Sequence, residues 1–234
     1  MIDNRKFSLI VIGSGGTGSY FLKEFSRFYQ QRRDIFNSMC IFDGDIVEDK
    51  NLMRQSFLPE DVGFNKASVM ASVLNDAFDL NWTAYARYVT KAEEIKAAFS
   101  PNTIPVIVGC VDNHACRLVC EEIFGTHESC VYIDSANEFS SGEVVVAIKD
   151  KGRILGPVRS SYFPEIKEGD LRAVTEISCE ELNNSSPQHI ATNMLAGNIL
   201  LSCICNLISG GLKPGVVYFD AANYSSDFME RKVA

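Results

Sequence analysis

Apolar residues along this chain alternate between short continuous runs and longer segments in which they recur every three or four positions. The first run, Phe7–Ile12, is rich in β-branched residues and ends in a glycine-rich stretch, which is typical of a buried parallel strand. In Gly16–Phe28 the aromatic residues have helical spacing, which predicts a helix. Further strands are predicted at Met39–Phe42, Trp82–Val89, Pro105–Cys110, Cys130–Asp134, Glu143–Ile148 and Gly215–Ala221. Further helices are predicted at Lys66–Phe78, Lys91–Phe99, Asn113–Phe124 and Gln188–Ile208.

This order of strands and helices predicts an α/β fold: a doubly wound, mostly parallel Rossmann-like sheet with helices on both faces. One domain is expected over residues 1–234. Its nucleotide-binding part would cover about 5–148, a crossover loop about 149–187, and a C-terminal helix and strand 188–234. The segment 149–187 shows neither the apolar runs of a strand nor the three-to-four-residue spacing of a helix. Irregular segments of that length inside a domain are often functional.

Composition and charge argue against a nucleic-acid-binding, secreted or membrane-spanning protein. The 234 residues are 46% hydrophobic and carry a net charge of −8, which argues against a nucleic-acid binder, because such proteins need a basic surface. No secretory leader is recognisable at the N-terminus. The most apolar stretch, Ile190–Ser209, contains Asn193, Asn198 and Asn206, so we expect a core helix and no membrane span. The expected location is the cytoplasm.

Cysteine usage gives no sign of a metal site or a disulfide framework. The chain has eight cysteines and no CxxC pair, so a zinc ribbon is not expected. Seven of them lie within or beside apolar runs, where cysteine acts as a small buried hydrophobe. Cys179 differs, because it lies in a polar part of the predicted crossover loop.

The first chemical signal is the glycine-rich turn Gly13–Gly18, which follows a predicted strand and opens a predicted helix. Glycines allow backbone N–H groups to approach a phosphate, and a helix N-terminus favours negative charge. By itself this turn fits NAD, FAD, S-adenosylmethionine or ATP, and it also fits a tight strand-to-helix connection with no ligand.

Residues after the second strand favour a triphosphate. Asp43 ends that strand, where a carboxylate can accept hydrogen bonds from a ribose. In dinucleotide-binding proteins the corresponding acidic residue usually comes about 20 residues after the glycine-rich turn, and Asp43 comes later than that. Asn51, Arg54 and Lys66 follow; arginine offers a two-pronged donor and lysine a mobile point charge, and both neutralise phosphates. Asp112 follows the strand Pro105–Cys110 and suits Mg²⁺.

Taken together, these motifs resemble a known family. GxGGxG, then DxDxVxxxNLxRQ from Asp43 to Gln55, then the acidic turn before Lys66, then Asp112-Asn113 with Arg117, is the pattern of the ThiF/MoeB/HesA proteins and of ubiquitin-activating E1 adenylation domains. The similarity is tight from Phe7 to about Ile123. The chain is also similar to the ThiF-like proteins of mobile-element operons, including the PRTRC type.

The resemblance implies an activity, two cofactors and a partner. Members use ATP and Mg²⁺ to activate the C-terminal glycine carboxylate of a small ubiquitin-like or sulfur-carrier protein as an acyl-adenylate, and a homodimer is expected. Catalytic roles are implied for Arg54, Lys66, Asp112 and Cys179, with Mg²⁺ on Asp112. Nucleotide contacts are implied for Gly13, Gly15, Gly16, Gly18, Asp43, Asp45, Asn51, Arg54, Gln55, Lys66, Asp112 and Asn113.

Three alternatives stay open at this point. Cys179 matches the region in which family members often carry a thioester- or persulfide-forming cysteine, but an unreactive loop cysteine fits the same pattern. A Rossmann oxidoreductase that uses NAD would share the glycine-rich turn. A non-catalytic E1-like scaffold subunit would share the whole fold.

Overall fold

The computed structural model describes residues 5–168 and 189–230, and the following account is restricted to them. One sheet runs through the described chain, and the first five strands in its spatial order, β3-β2-β1-β4-β5, are all parallel. Their bounds are β1 Phe7–Ile12, β2 Phe36–Phe42, β3 Trp82–Tyr85, β4 Ile104–Gly109 and β5 Cys130–Asn137. The predicted parallel α/β sheet is therefore confirmed.

The other half of the sheet is antiparallel. Beyond β5 the order continues β6-β8-β9, with β7 paired to β6, and each of these contacts is antiparallel. These strands are β6 Ser141–Asp150, β7 Arg153–Gly156, β8 Gly215–Asp220 and β9 Ser225–Glu230.

Helices cover both faces of the parallel part, as the sequence predicts. The helices are α1 Gly16–Tyr29, α2 Lys66–Phe78, α3 Ala92–Lys96, α4 His114–Thr126 and α5 Ile190–Ser209. Buried side chains of α1, α2 and α5 share one hydrophobic cluster with one face of the sheet, and those of α3 and α4 share a second cluster with the other face. The core therefore consists of two layers separated by the sheet.

Helix α5 belongs to this core. It packs along α1, and at Gly197 a side chain would come within 3.1–3.3 Å of α1 atoms, including the backbone of Phe21 and Thr17. Among the described helices it is the one long and apolar enough to cross a membrane by length and composition. Its buried apolar side chains belong to the hydrophobic cluster that includes α1 and one face of the sheet, and Asn193 in its first half is fully buried.

Several expectations from the sequence differ from the structure. The predicted strand Trp82–Val89 ends at Tyr85, and the predicted helix Lys91–Phe99 covers only Ala92–Lys96. Lys149 and Asp150 belong to β6, and β7 and two short 3₁₀ turns lie within the first part of the segment expected to be irregular, 149–187. A tight turn at Lys151-Gly152, two residues with positive φ, joins β6 to β7. Charged residues at the end of β6 and the start of β7 interrupt the apolar pattern from which a strand is predicted. In addition, β9 follows the strand that the sequence predicts as the last one; its six exposed residues carry no apolar alternation.

The strand order creates the crevice in which a site can form. From β1 the chain proceeds to β2 and β3 on one side, then crosses to β4 and β5 on the other side of β1. Ligands of doubly wound sheets bind outside the carboxyl ends of the strands at such a reversal. The glycine-rich turn after β1, Asp43 after β2 and Asp112 after β4 all lie at that edge.

Candidate functional site

A cavity of about 1390 Å³ lies at the carboxyl ends of the parallel strands. Eleven of the twelve residues predicted to contact a nucleotide line it, although up to 100 positions separate them in the chain: Gly13, Gly15, Gly16, Asp43, Asp45, Asn51, Arg54, Gln55, Lys66, Asp112 and Asn113. The remaining one, Gly18, lies behind the turn. A side chain on Gly18 would collide with the carbonyl oxygen of Gly13, so this glycine is required by the packing of α1 against the turn.

The glycine-rich turn requires glycine at its first position. Gly13 has φ of 90°, and a Cβ there would lie 2.5 Å from the carbonyl oxygen of Cys110. Its N–H donates to the carbonyl of Phe42 at 2.8 Å, which joins the turn to the end of β2. Helix α1 begins at Gly16, so its unpaired N–H groups and the positive end of its dipole face the cavity.

Asp43 braces this turn. One of its carboxylate oxygens accepts hydrogen bonds from the backbone N–H and the hydroxyl of Ser14, at 2.7 and 2.9 Å. The other accepts from the backbone N–H of Asp45 at 2.9 Å. Burial raises the pKa of Asp43, and the neighbouring carboxylate of Asp45 adds to that effect. Asp43 is thus a structural support of the glycine-rich turn in addition to its predicted place beside a ribose.

Lys66 opens α2 and is held by a carboxylate. Its Nζ lies 2.8 Å from Oδ2 of Asp45, and the hydroxyl of Tyr88 donates to the other oxygen of Asp45. Burial acts to raise the pKa of Asp45, but the charge of Lys66 and the two hydrogen bonds outweigh it and lower the pKa. Asp45 is therefore ionised, and the ammonium is fixed on the cavity wall.

The loop between β2 and α2 contributes three further predicted residues. Asn51 is buried in a 3₁₀ turn, and its side-chain oxygen accepts from the backbone N–H of Glu48 at 2.9 Å. Gln55 is also buried, and its Oε1 has no hydrogen-bond partner among the described residues. The guanidinium of Arg54 lines the cavity and forms no hydrogen bond or ion pair with any residue that the structure describes. Arg54 and Gln55 thus offer a cation and a polar atom to a ligand.

At the end of β4, Asp112 is exposed to the cavity, and within residues 5–168 and 189–230 its carboxylate has no bonding partner. Asn113 caps α4 by accepting from the backbone N–H of Cys116 at 2.8 Å. Arg117 then donates to the carbonyl of Val111, which holds the chain before Asp112 in place. Asp112 thus offers one carboxylate to a divalent cation, and among the described residues no group of three or more His, Cys, Asp or Glu side chains that could hold a metal ion accompanies it.

Behind Arg117 lies a buried ionic network that the sequence does not predict. Asp134 on β5 is fully buried and pairs with both Arg117, at 3.3 Å, and Arg159. Arg159 also pairs with Glu143 on β6 and donates to the carbonyl of Asp134 at 3.1 Å. A carboxylate inside a strand as apolar as Cys130–Asp134 is the signal that indicates a buried partner.

Other lining residues were not predicted from the sequence. Tyr88 follows β3, Asn137 ends β5, and Phe139, His189 and Ile190 border the cavity near the start of α5. None of these residues belongs to a predicted motif, although Tyr88 lies in the predicted strand Trp82–Val89 and His189 and Ile190 lie in the predicted helix Gln188–Ile208. Cys179, predicted as a nucleophile, lies outside the described residues.

Comparison with known proteins supports one family across the chain. The model of the ThiF family matches residues 3–232. Ubiquitin-like modifier-activating enzyme 5 of Oryza sativa subsp. japonica is 28% identical over 134 residues, which are 51% of this chain and 30% of that protein. The protein of the same name from Bombyx mori is 24% identical over 168 residues, 68% of this chain and 39% of that protein. The chain thus spans well under half the length of these relatives.

Solved structures share the fold. The chain superposes on E. coli MccB, crystallised with ATP, with a TM-score of 0.70 and 15% identity, covering all of this chain and 65% of that one. For PaaA the TM-score is 0.66 with 14% identity, covering 95% of this chain and 72% of that one. At such identity the likeness concerns the fold.

Proposed function

This chain belongs to the ThiF family, and from that premise we propose that it is an ATP-dependent E1-like adenylyltransferase. Its substrate would be the C-terminal glycine carboxylate of a small ubiquitin-like or sulfur-carrier protein, converted to an acyl-adenylate with release of pyrophosphate. The observation that carries the proposal is one cavity in which Arg54, Lys66, the N-terminus of α1 and Asp112 face a common space. The named relatives are modifier-activating enzymes, and MccB was crystallised with ATP.

The proposed reaction needs positioning and charge neutralisation more than covalent catalysis. A carboxylate oxygen of the partner attacks the α-phosphorus in line, an acyl–phosphate bond forms, and the bond to the bridging oxygen of the β-phosphate breaks. Pyrophosphate leaves with that electron pair. Arg54 would hold the phosphates with a two-pronged donor, and the fixed ammonium of Lys66 would neutralise the charge that develops on the leaving group.

The remaining predicted residues would bind the nucleotide. Asp43 would accept from the ribose, Gly15 would lie beside the adenylate, and Asn51 would contact the phosphates. Gln55 would support the residues that contact the phosphates. Its buried Oε1 has no hydrogen-bond partner among the described residues, which fits a polar ligand. Asp112 would hold Mg²⁺, whose charge would further neutralise the phosphates.

Several finer points belong to the same proposal. In a second step the sulfur of Cys179 would attack the acyl carbon of the adenylate, so that a thioester forms, the acyl–phosphate bond breaks and AMP leaves. Two copies of the chain would form a homodimer, and the protein would act in the cytoplasm, without binding nucleic acid or membrane.

The direct test is ATP–pyrophosphate exchange with a panel of small ubiquitin-like and sulfur-carrier proteins that end in Gly-Gly. We expect exchange that depends on one such partner, and a loss of about 10²-fold in Arg54→Ala and in Asp112→Ala, because each removes a charge placed for the transition state. Arg33 and Asp79 provide matched controls: they form an exposed ion pair away from the cavity, and Arg33→Ala and Asp79→Ala should retain the exchange rate. Unchanged exchange in both cavity variants would contradict the proposal.

A further inference from the structure

Tyr88 lies in the cavity at a position that no predicted motif covers. It comes three residues after the end of β3, and its ring rests directly on Gly44. A Cβ on Gly44 would lie 2.6–2.7 Å from three carbon atoms of that ring. The glycine between Asp43 and Asp45 therefore allows the Tyr88 ring to approach the backbone this closely at the end of β2.

The hydroxyl of Tyr88 reaches a residue that matters for charge in the cavity. It donates to Oδ1 of Asp45, whose Oδ2 forms the 2.8 Å ion pair with Lys66. The three side chains are thus connected in series, hydroxyl to carboxylate to ammonium. Lys66 is 7% exposed in this arrangement, whereas the side chain of Asp45 is 45% exposed.

The backbone of Asp45 is already fixed without Tyr88. Its N–H donates to Asp43, and its carbonyl accepts from the backbone N–H of Lys66 and from the side chain of Asn65, each at 2.9 Å. The carboxylate is different, because it is half exposed and has Lys66 on one side and the Tyr88 hydroxyl on the other. The Tyr88 hydroxyl holds the carboxylate oxygen that Lys66 does not contact, and so it opposes rotation of the carboxylate into solvent.

We propose that Tyr88 is a positioning residue for the polyphosphate part of the site: its hydroxyl holds Asp45, and Asp45 holds the ammonium of Lys66 at the cavity wall. The inference rests on the proposed function, since it assigns Lys66 a phosphate ligand. A cation that is already in place loses less conformational freedom when the phosphates bind, so the arrangement favours ATP. Burial and the bond to Asp45 raise the pKa of Tyr88, so the hydroxyl keeps the proton that it donates.

The test compares Tyr88→Phe with wild type in calorimetric binding of ATP–Mg²⁺ and of adenosine. Removing one hydroxyl should weaken ATP binding about three- to tenfold and leave adenosine binding within twofold, because only ATP carries the phosphates that Lys66 would contact. Tyr85→Phe is the matched control. Tyr85 ends β3 and stacks on Phe42 at 4.3 Å between ring centroids, and its hydroxyl bonds to no described residue, so both affinities should stay unchanged.

Two further variants separate positioning from a general effect on folding. In a Lys66→Ala background, Tyr88→Phe should change ATP affinity less than twofold, since the group that it positions is gone. Gly44→Ala should displace the ring and reproduce the loss for ATP, without an additional loss when combined with Tyr88→Phe.

Three results would overturn the inference: wild-type ATP affinity in Tyr88→Phe, an equal loss for ATP and adenosine, or the full loss in the Lys66→Ala background. A wild-type protein that binds no ATP would overturn the proposed function as well, so the two failures are distinguishable.

Discussion

At the scale of single residues, the most demanding feature is the buried carboxylate of Asp134. It lies between two buried guanidinium groups, those of Arg117 and Arg159, which reach it from α4 and from the segment after β7. Burying charges is costly unless they are paired, and here Glu143 supplies a second carboxylate to Arg159, so the contribution of each charge depends on the others. The network joins β5, α4 and the chain after β7 beside the cavity wall.

Asp134→Asn should destabilise the fold strongly. The variant keeps the shape of the side chain but leaves two buried arginines with reduced compensation, for which we expect a loss of about 3–5 kcal/mol in the free energy of unfolding. Urea denaturation measures it. Asp79→Asn breaks an exposed ion pair with Arg33 and should cost less than about 1 kcal/mol. Equal, small losses in both variants would show that the buried network adds no stability.

At the scale of elements, the contact between α1 and α5 connects the hydrophobic core to the cavity. Asn193 on α5 lies against Gly16, where a Cβ would come 2.5 Å from its amide nitrogen. Asn137 donates to Thr17 at 2.6 Å and to Asn193 at 3.3 Å, so the end of β5 joins the same contact. The position of the glycine-rich turn is therefore fixed by two contacts: Asn193 of α5 packs against Gly16, and Asp43 accepts hydrogen bonds from Ser14.

Gly197→Leu tests how closely the two helices must approach. A side chain at this position meets the backbone of α1 at 3.1–3.3 Å, and a helix backbone cannot yield cheaply, so we expect a loss of about 1–3 kcal/mol in the free energy of unfolding. Gly125→Leu is the control, because Gly125 lies on α4 with no atom within 4 Å of its Cβ position. There the better helix propensity should leave stability unchanged or slightly higher. A Gly197→Leu protein as stable as wild type would show that α5 can shift freely on α1.

At the scale of the whole molecule, the cavity should couple nucleotide binding to global stability. A ligand that binds only the folded chain at about 100 times its Kd adds about 2.7 kcal/mol, which corresponds to a rise of about 5–10 °C in Tm for a chain of this size. We therefore expect ATP–Mg²⁺ to raise the Tm and NADH to leave it unchanged. Arg54→Ala should lose much of the ATP-dependent rise. Stabilisation by NADH alone would favour the oxidoreductase alternative instead.

Much of the fold could be predicted from local patterns. Lys66–Phe78 is both the predicted and the observed helix, and β1 agrees at both ends, because apolar spacing, the Asn65 cap and the glycine-rich turn all act within a few residues. Predictions from the apolar pattern were wrong where the tertiary arrangement, and not the local sequence, determines whether a strand forms. The predicted strand Trp82–Val89 ends at Tyr85, and Tyr88, beyond that end, packs against Gly44 instead of continuing the strand. Strand β9 forms at the sheet edge without an apolar face.

The sequence by itself determined the glycine-rich turn, the charged residues after β2 and β4, and the parallel α/β class, because each follows from neighbours in the chain. Only the tertiary structure decided which side chains act on one another. Tyr88 and Asp45 are 43 positions apart, and Arg159 and Asp134 are 25 apart. Contacts of this kind depend on strand order and on the close approach of backbones, and a one-dimensional pattern carries neither.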